Sequence, residues 1–364
     1  MAARGPVRGR MRGSRLPAVQ RSQMKCFGLM IAALLVVLCS HAGADAGLSF
    51  ETASNESLLA RNSRSESMHL SVEDRVQDIL RHPAFAGDAL LILPWDDRGY
   101  DEQMSMKSIG SLLPYHSHVE PRVVVSGLNR MIDDASRGQK IFYRFYSAED
   151  RRKDPAKENT GLLYFRGNTN APFAIIAPGG GFTYVGSIHE GFPFAMEISK
   201  RGYNAFVVRY RAGLGERAAT EDLATAVSYL FRNAAELGIE TAGHSAWGSS
   251  AGARMAANIG SYGVRRFGGD DLPKPSTVVM AYTAHSDFAA AEPPTFVVVG
   301  DRDGIAPPAV MERRVAELRN QGTTVEYRKY NGVGHGFGLG TGTGAEGWVL
   351  EAVRFWEDAM KRTR

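Results

Sequence analysis

Gly248-Ser249-Ser250-Ala251-Gly252 limits what this chain can fold into more than any other stretch. It has the form Gly-x-Ser-x-Gly, which suits a strand that turns sharply into a helix and holds a serine at the tip of the turn. A Cβ at either glycine would collide with the neighbouring strand or helix. The flanks agree. Residues 244–247 read as a short buried strand, and residues 251–259, rich in Ala and Met, read as a helix. The helix N-terminus favours negative charge developing beside the hydroxyl. Two neighbouring serines fit less well. Ser245 has Trp247 where the second glycine is needed, and Ser249 lacks both flanking glycines.

From about residue 140 onward, strand and helix patterns alternate. Strands are predicted at 141–146, 162–165, 173–177, 203–210, 277–282, 295–299 and 324–330. Helices are predicted at 192–200, 220–237, 308–320 and 346–360. This predicts an α/β fold: a mostly parallel sheet covered by helices on both faces, with ligands at the carboxyl ends of the strands. Further upstream, 72–80 and 123–135 read as helices, 89–93 is an apolar run stopped by Pro94, and 47–70 reads as a polar linker.

Three loops at predicted strand ends carry chemistry. Pro178-Gly179-Gly180-Gly181-Phe182 leaves backbone N–H groups bare, and it lacks the Gly-Lys-Ser/Thr ending of a phosphate loop. Gly300-Asp301-Arg302-Asp303-Gly304 offers an acid that can orient a histidine. Asp303 lies further out and is the expected partner; Asp301, at the strand end, is the alternative and suits a turn brace. Gly332-Val333-Gly334-His335-Gly336-Phe337 holds the only histidine beyond Asp303, the expected general base. His116 and His118 lack a third ligand at a metal-site spacing. Gly342 to Gly347 matches G-x-G-x-x-G but follows no strand, so it does not read as a dinucleotide loop.

The first 46 residues are set apart by composition. Seven basic residues and no acid precede an apolar run at 27–38, and small residues end in Ala44-Asp45-Ala46. That is the order of a secretory signal peptide, with an apolar run short for a membrane span; Met24 is an alternative start. Taking its seven basic residues and one acid from 43 and 39 leaves 36 and 38, a net charge of −2. The high pI therefore belongs to the leader and gives no support to nucleic-acid binding. Both cysteines, Cys26 and Cys39, also fall there, so residues 47–364 hold no thiol nucleophile and no disulfide. The expectation is an exported protein, periplasmic or secreted, without stable membrane insertion after cleavage. Residues 47–137 are expected to be an N-terminal extension packing on the core, and 138–364 the catalytic domain.

Ser250, Asp303 and His335 follow one another in the order found in α/β-hydrolases. With Pro178-Gly-Gly-Gly181, Tyr203, Tyr210-Arg211 and His335-Gly-Phe337, the chain from about 140 onward resembles that superfamily. Within it, the chain is similar to the secreted bacterial esterases related to acetyl xylan esterases and the feruloyl-esterase-like group. Pro178 departs from the many lipolytic members that have His before three glycines. The resemblance implies a serine esterase acting on short-acyl esters, small-molecule or carbohydrate, with no metal or organic cofactor. It implies an oxyanion hole from the N–H groups of Gly180, Gly181 and Ala251. His189, Glu190, Phe192, Tyr115 and His116 are candidate substrate contacts. The alternatives are a peptidase of the prolyl-oligopeptidase type and an inactive hydrolase-fold binding module.

Overall fold

The computed structural model describes residues 68–362, which lie within one unit spanning Ser54–Arg364. The expected signal peptide and most of the expected linker lie outside the described residues. Eight strands form one sheet: β1 Phe142–Tyr143, β2 Gly161–Phe165, β3 Ala171–Ala177, β4 Asn204–Arg209, β5 Ile239–Ser249, β6 Thr277–Ala281, β7 Thr295–Gly300 and β8 Val325–Tyr330. Their order is β1-β2-β4-β3-β5-β6-β7-β8. β1 and β2 join antiparallel at one edge, and every pair from β4 to β8 is parallel. The central strands are buried on both faces, as their unbroken apolar runs require. β8, at the other edge, is only half-buried and alternates with charge.

Six longer helices cover the sheet: α1 Pro121–Ser136, α2 Phe192–Lys200, α3 Gly215–Arg232, α4 Ala251–Tyr262, α5 Pro308–Asn320 and α6 Trp348–Arg362. One apolar core joins α2, α6 and inward residues of the sheet to Val76, Ile79, Phe85, Ile109, Leu128 and Met131 from the chain before β1. The other packs α3, α4 and α5 on the opposite face. The segment upstream of β1 is thus continuous with the hydrophobic interior of the sheet.

The sequence expectations hold for most elements and shift for four. The strand expected at 141–146 is reduced to two residues because Arg144 turns away to Asp88 and Glu158. The helix expected at 220–237 starts at Gly215 and breaks at Asn233, whose amide donates to Tyr229 O at 2.7 Å and competes with the backbone ladder. Gly238 then ends the following short turn in the left-handed region. The helix expected at 72–80 begins only at Val76. The strand before Ser250 extends back to Ile239, its less buried first half kinked at Gly243. Among the described residues no helix is long and apolar enough to cross a membrane.

Candidate active site

β5 delivers Ser250 to the carboxyl edge of the sheet. The serine has φ 49° and ψ −115°, a conformation strained for a residue with a Cβ. The surrounding chain holds it there. Its N–H donates to Ala281 O at 2.8 Å, and close packing fixes both sides of the turn. A Cβ on Gly248 would lie 2.2 Å from Gly252 O, and one on Gly252 would lie 1.9 Å from Ala177 O. Only glycine fits at either place.

The other two loops converge on that hydroxyl. His335 Nε2 is 2.9 Å from Ser250 Oγ, and His335 Nδ1 is 2.7 Å from Asp303 Oδ2. Asp303 Oδ1 accepts the N–H groups of Ile305 and Ala306 at 2.9 and 2.7 Å. The carboxylate is therefore fixed by its own loop before it meets the ring. Asp301, the alternative acid, is committed elsewhere: its Oδ1 accepts the Gly332 N–H at 2.6 Å and braces the turn. Asp303 and His335 are buried, and Ser250 is half-buried. The Tyr282 ring packs edge-on to His335 at 5.4 Å.

The glycine loop follows β3. Gly180 and Gly181 have φ 129° and 62°, and Gly180 O accepts the N–H groups of Thr183 and Tyr184. Ala251 opens α4, where no residue one helical turn back can accept its N–H. Tyr210 Oη donates to Pro178 O at 2.9 Å and anchors the start of the loop. Pro178 is thus tethered through its carbonyl.

The residues expected to touch substrate take different places. Tyr115 is exposed, and its ring lies against Gly181: a Cβ there would meet the ring at 3.0 Å. Phe192 begins α2 with its ring wholly buried against Gly127 and Phe165, out of reach of solvent. His189 is buried, with Nε2 3.0 Å from Gly336 O; burial, then the neighbouring His116, lowers its pKa to about 4. Glu190 is fully buried beneath the glycine loop. One oxygen accepts the Gly179 N–H and the Ser249 hydroxyl, and the other lies 2.9 Å from His116 Nε2. Burial alone would raise this carboxyl; His116 and the Ser249 hydrogen bond outweigh it and hold its pKa at about 2.

The sequence offered Ser249 only as a discarded nucleophile and did not single out Tyr184 or Ser117. A signal for the first existed in its partner: Glu190 is the only acid in residues 184–196. Among the described residues no three His, Cys, Asp or Glu side chains gather as a metal site. His116 is committed to Glu190 and Tyr184, and His118 is exposed.

Two family models match this chain: BD-FAE over residues 163–279, and the prolyl oligopeptidase family over residues 261–363. The first span contains the glycine loop and Ser250, the second Asp303 and His335. No curated protein sequence matches significantly. Among solved structures, the acetyl ester-xyloside bifunctional hydrolase from Caldicellulosiruptor lactoaceticus is 20% identical, with 60% of this chain and 95% of that one covered and a TM-score of 0.52. MGS-M1, an α/β hydrolase from a Medee basin deep-sea metagenome library, is 24% identical over 56% and 93%, with a TM-score of 0.49. Carboxyl esterase 2 from Tuber melanosporum is 18% identical over 54% and 82%, with a TM-score of 0.48. Sheet order and the match to the Caldicellulosiruptor lactoaceticus structure together define the class by architecture: the chain has the α/β-hydrolase fold. Each of the two family models matches less than a third of the chain.

Proposed function

We propose that the protein is a serine carboxylic-ester hydrolase working through a Ser250–His335–Asp303 triad. The observation that carries this reading is His335 bridging Ser250 Oγ at 2.9 Å and Asp303 at 2.7 Å. In the proposed cycle His335 Nε2 takes the Ser250 proton as the hydroxyl attacks the ester carbonyl. The N–H groups of Gly180, Gly181 and Ala251 receive the oxyanion, each worth about 3–4 kcal/mol of transition-state stabilisation. His335 then protonates the leaving alcohol, and water repeats the sequence on the acyl-enzyme. Asp303 stays ionised and holds the ring.

The proposed substrates are short-acyl esters, with acetylated carbohydrate of the xylan type first among them, as the motif resemblance implies. Export follows as a further proposal from the leader-like order of residues 1–46, which leaves residues 47–364 free of cysteine. The match of residues 261–363 to the prolyl oligopeptidase family favours a second reading, a serine peptidase. Purified protein given p-nitrophenyl acetate, acetylated xylo-oligosaccharides and prolyl peptides separates the two. Loss of turnover and of fluorophosphonate labelling in Ser250→Ala is the expected result. Wild-type protein that neither labels nor hydrolyses any ester or peptide would leave only a binding role.

A further inference from the structure

A chain of polar contacts runs behind the catalytic groups and uses residues the proposed mechanism leaves idle. Glu190 accepts the N–H of Gly179, the residue just before the proposed oxyanion donors, and the hydroxyl of Ser249, the residue just before the nucleophile. The space a Gly179 Cβ would occupy lies 2.8 Å from Glu190 Oε2 and 2.9 Å from Ser250 Cβ. The carboxylate therefore ties the glycine loop to the nucleophile turn from below. Its second oxygen faces His116 Nε2 at 2.9 Å, both side chains essentially inaccessible to solvent. His116 Nδ1 meets Tyr184 Oη at 2.9 Å, and that oxygen accepts the Tyr115 N–H at 3.1 Å.

The same short segment grips the histidine loop. Ser117 Oγ donates to His335 O at 2.7 Å, and Ser117 N–H donates to Gly336 O at 3.0 Å. Gly336 has φ 66°, and a Cβ there would meet Tyr115 O at 2.6 Å. Gly186, at the far side of the glycine loop, leaves room for His116 in the same way. Residues 115–117 thus touch the oxyanion loop on one side and the base loop on the other.

We propose that Glu190 and His116 form a positioning couple that sets the oxyanion donors relative to Ser250 and makes the 115–117 strap part of the active site. The inference rests on the serine-hydrolase reading. Neither residue touches the substrate; both act through the backbone of Gly179 and the turn before Ser250. A buried charge makes this device sensitive to a single atom, because Glu190→Gln keeps the shape but turns one acceptor into a donor facing either His116 or Ser249.

The test compares wild type, Glu190→Gln, His116→Gln and the double variant by kcat and KM on p-nitrophenyl acetate, by fluorophosphonate labelling rate, and by inhibition with a trifluoromethyl ketone. The ketone forms a tetrahedral oxyanion on the serine and so reports the donor geometry directly. Each single variant should lose roughly tenfold or more in kcat, short of the ~10²–10³ for removing a donor outright. KM should stay within about twofold, since the couple acts only as charge develops. Ketone affinity should fall in parallel, and the double variant should be little worse than either single, the mark of one coupled unit. Folded variants with wild-type kcat, or with reduced kcat and undiminished ketone binding, overturn the proposal. If Glu190→Gln does not fold, His116→Gln carries the same comparison. Wild-type protein inert to esters and to fluorophosphonate removes the parent reading instead, an outcome distinct from active wild type with unaffected variants.

Discussion

Asp303 gives one carboxylate oxygen to His335 Nδ1 at 2.7 Å and the other to the N–H groups of its own loop. In the proposed triad this arrangement holds Nδ1–H toward Asp303 and leaves Nε2 to take the Ser250 proton. Asp303→Asn should invert that tautomer and lower kcat by about 10⁴-fold with the fold intact. Asp301→Asn should cost less than about tenfold, because it loosens only the bond to Gly332. Steady-state kinetics on the two variants decide it; an equal loss in both would mean the wrong acid has been placed in the triad.

Ser250 sits at positive φ, and the strain can be measured. Backbone strain of this kind costs about 1–3 kcal/mol. Glycine avoids it but loses about 0.4–1 kcal/mol through its freer unfolded chain. The first term is larger, so Ser250→Gly should be more stable than Ser250→Ala by about 1 kcal/mol, though both are inactive. Both lose the same hydrogen bond to His335, so the comparison isolates the backbone. Denaturant midpoints that rank alanine above glycine would show the turn to be unstrained.

Much of this site is legible in the sequence because its signals are local. Ser250 is marked by glycines two residues away on each side, and β3 and β7 by apolar runs that suit strands buried on both faces. The choice between Asp301 and Asp303 needed only their order along one loop. The Glu190–His116 couple was not legible as a couple: its partners are far apart in sequence and meet because residues 115–117 cross the mouth between two loops. Pattern reading gave both residues a place near substrate without a partner. Phe192 shows the opposite error, since position after the glycine loop suggested contact, whereas helical phase turns its ring into the core. β1 shrank because an edge strand is ended by side-chain partners that no periodicity records.

Gly252 and Gly304 make a matched pair for testing the elbow. A Cβ at 252 would stand 1.9 Å from Ala177 O, backbone that cannot give way, whereas nothing lies within 4 Å of a Cβ at 304. Gly252→Ala should therefore destabilise the protein by about 4 kcal/mol or more, among the largest single-residue effects, and yield little soluble material. Gly304→Ala should stay within about 1 kcal/mol of wild type. Soluble, active Gly252→Ala would show that α4 can move away from β3.

Tyr115 is the one expected substrate contact that is both exposed and against the glycine loop. Its ring stacks on Tyr184 at 5.7 Å, so the orientation is held while one face stays open. Tyr115→Ala should raise KM several-fold on carbohydrate esters and leave kcat nearly unchanged, the pattern of binding lost equally from ground and transition states. A fall in kcat with unchanged KM would instead assign the ring to the strap.

Acid stability should be governed by histidines outside the triad. His189, His244 and His285 are buried, and burial lowers each from an ordinary 6.5 to about 4. His116 adds to the shift at His189 and Arg314 to that at His285. Between those values the unfolded chain binds protons that the folded protein refuses, so stability must drop as pH falls from about 6.5 to about 4. Glu190 works in the lower window: held at about 2 against an ordinary 4.5, it stabilises the fold above 4.5 and loses that contribution as pH falls toward 2. His244 permits a clean test because it lies away from the catalytic loops, stacked on Phe173 at 5.4 Å and edge-on to Phe231 at 5.0 Å. In His244→Phe one proton leaves the linkage, so the slope of unfolding free energy between pH 6.5 and 4 should flatten by up to about 1.4 kcal/mol per pH unit. Urea titrations at several pH values measure that slope directly. An unchanged slope would mean that His244 is protonated within the fold and that acid sensitivity arises elsewhere.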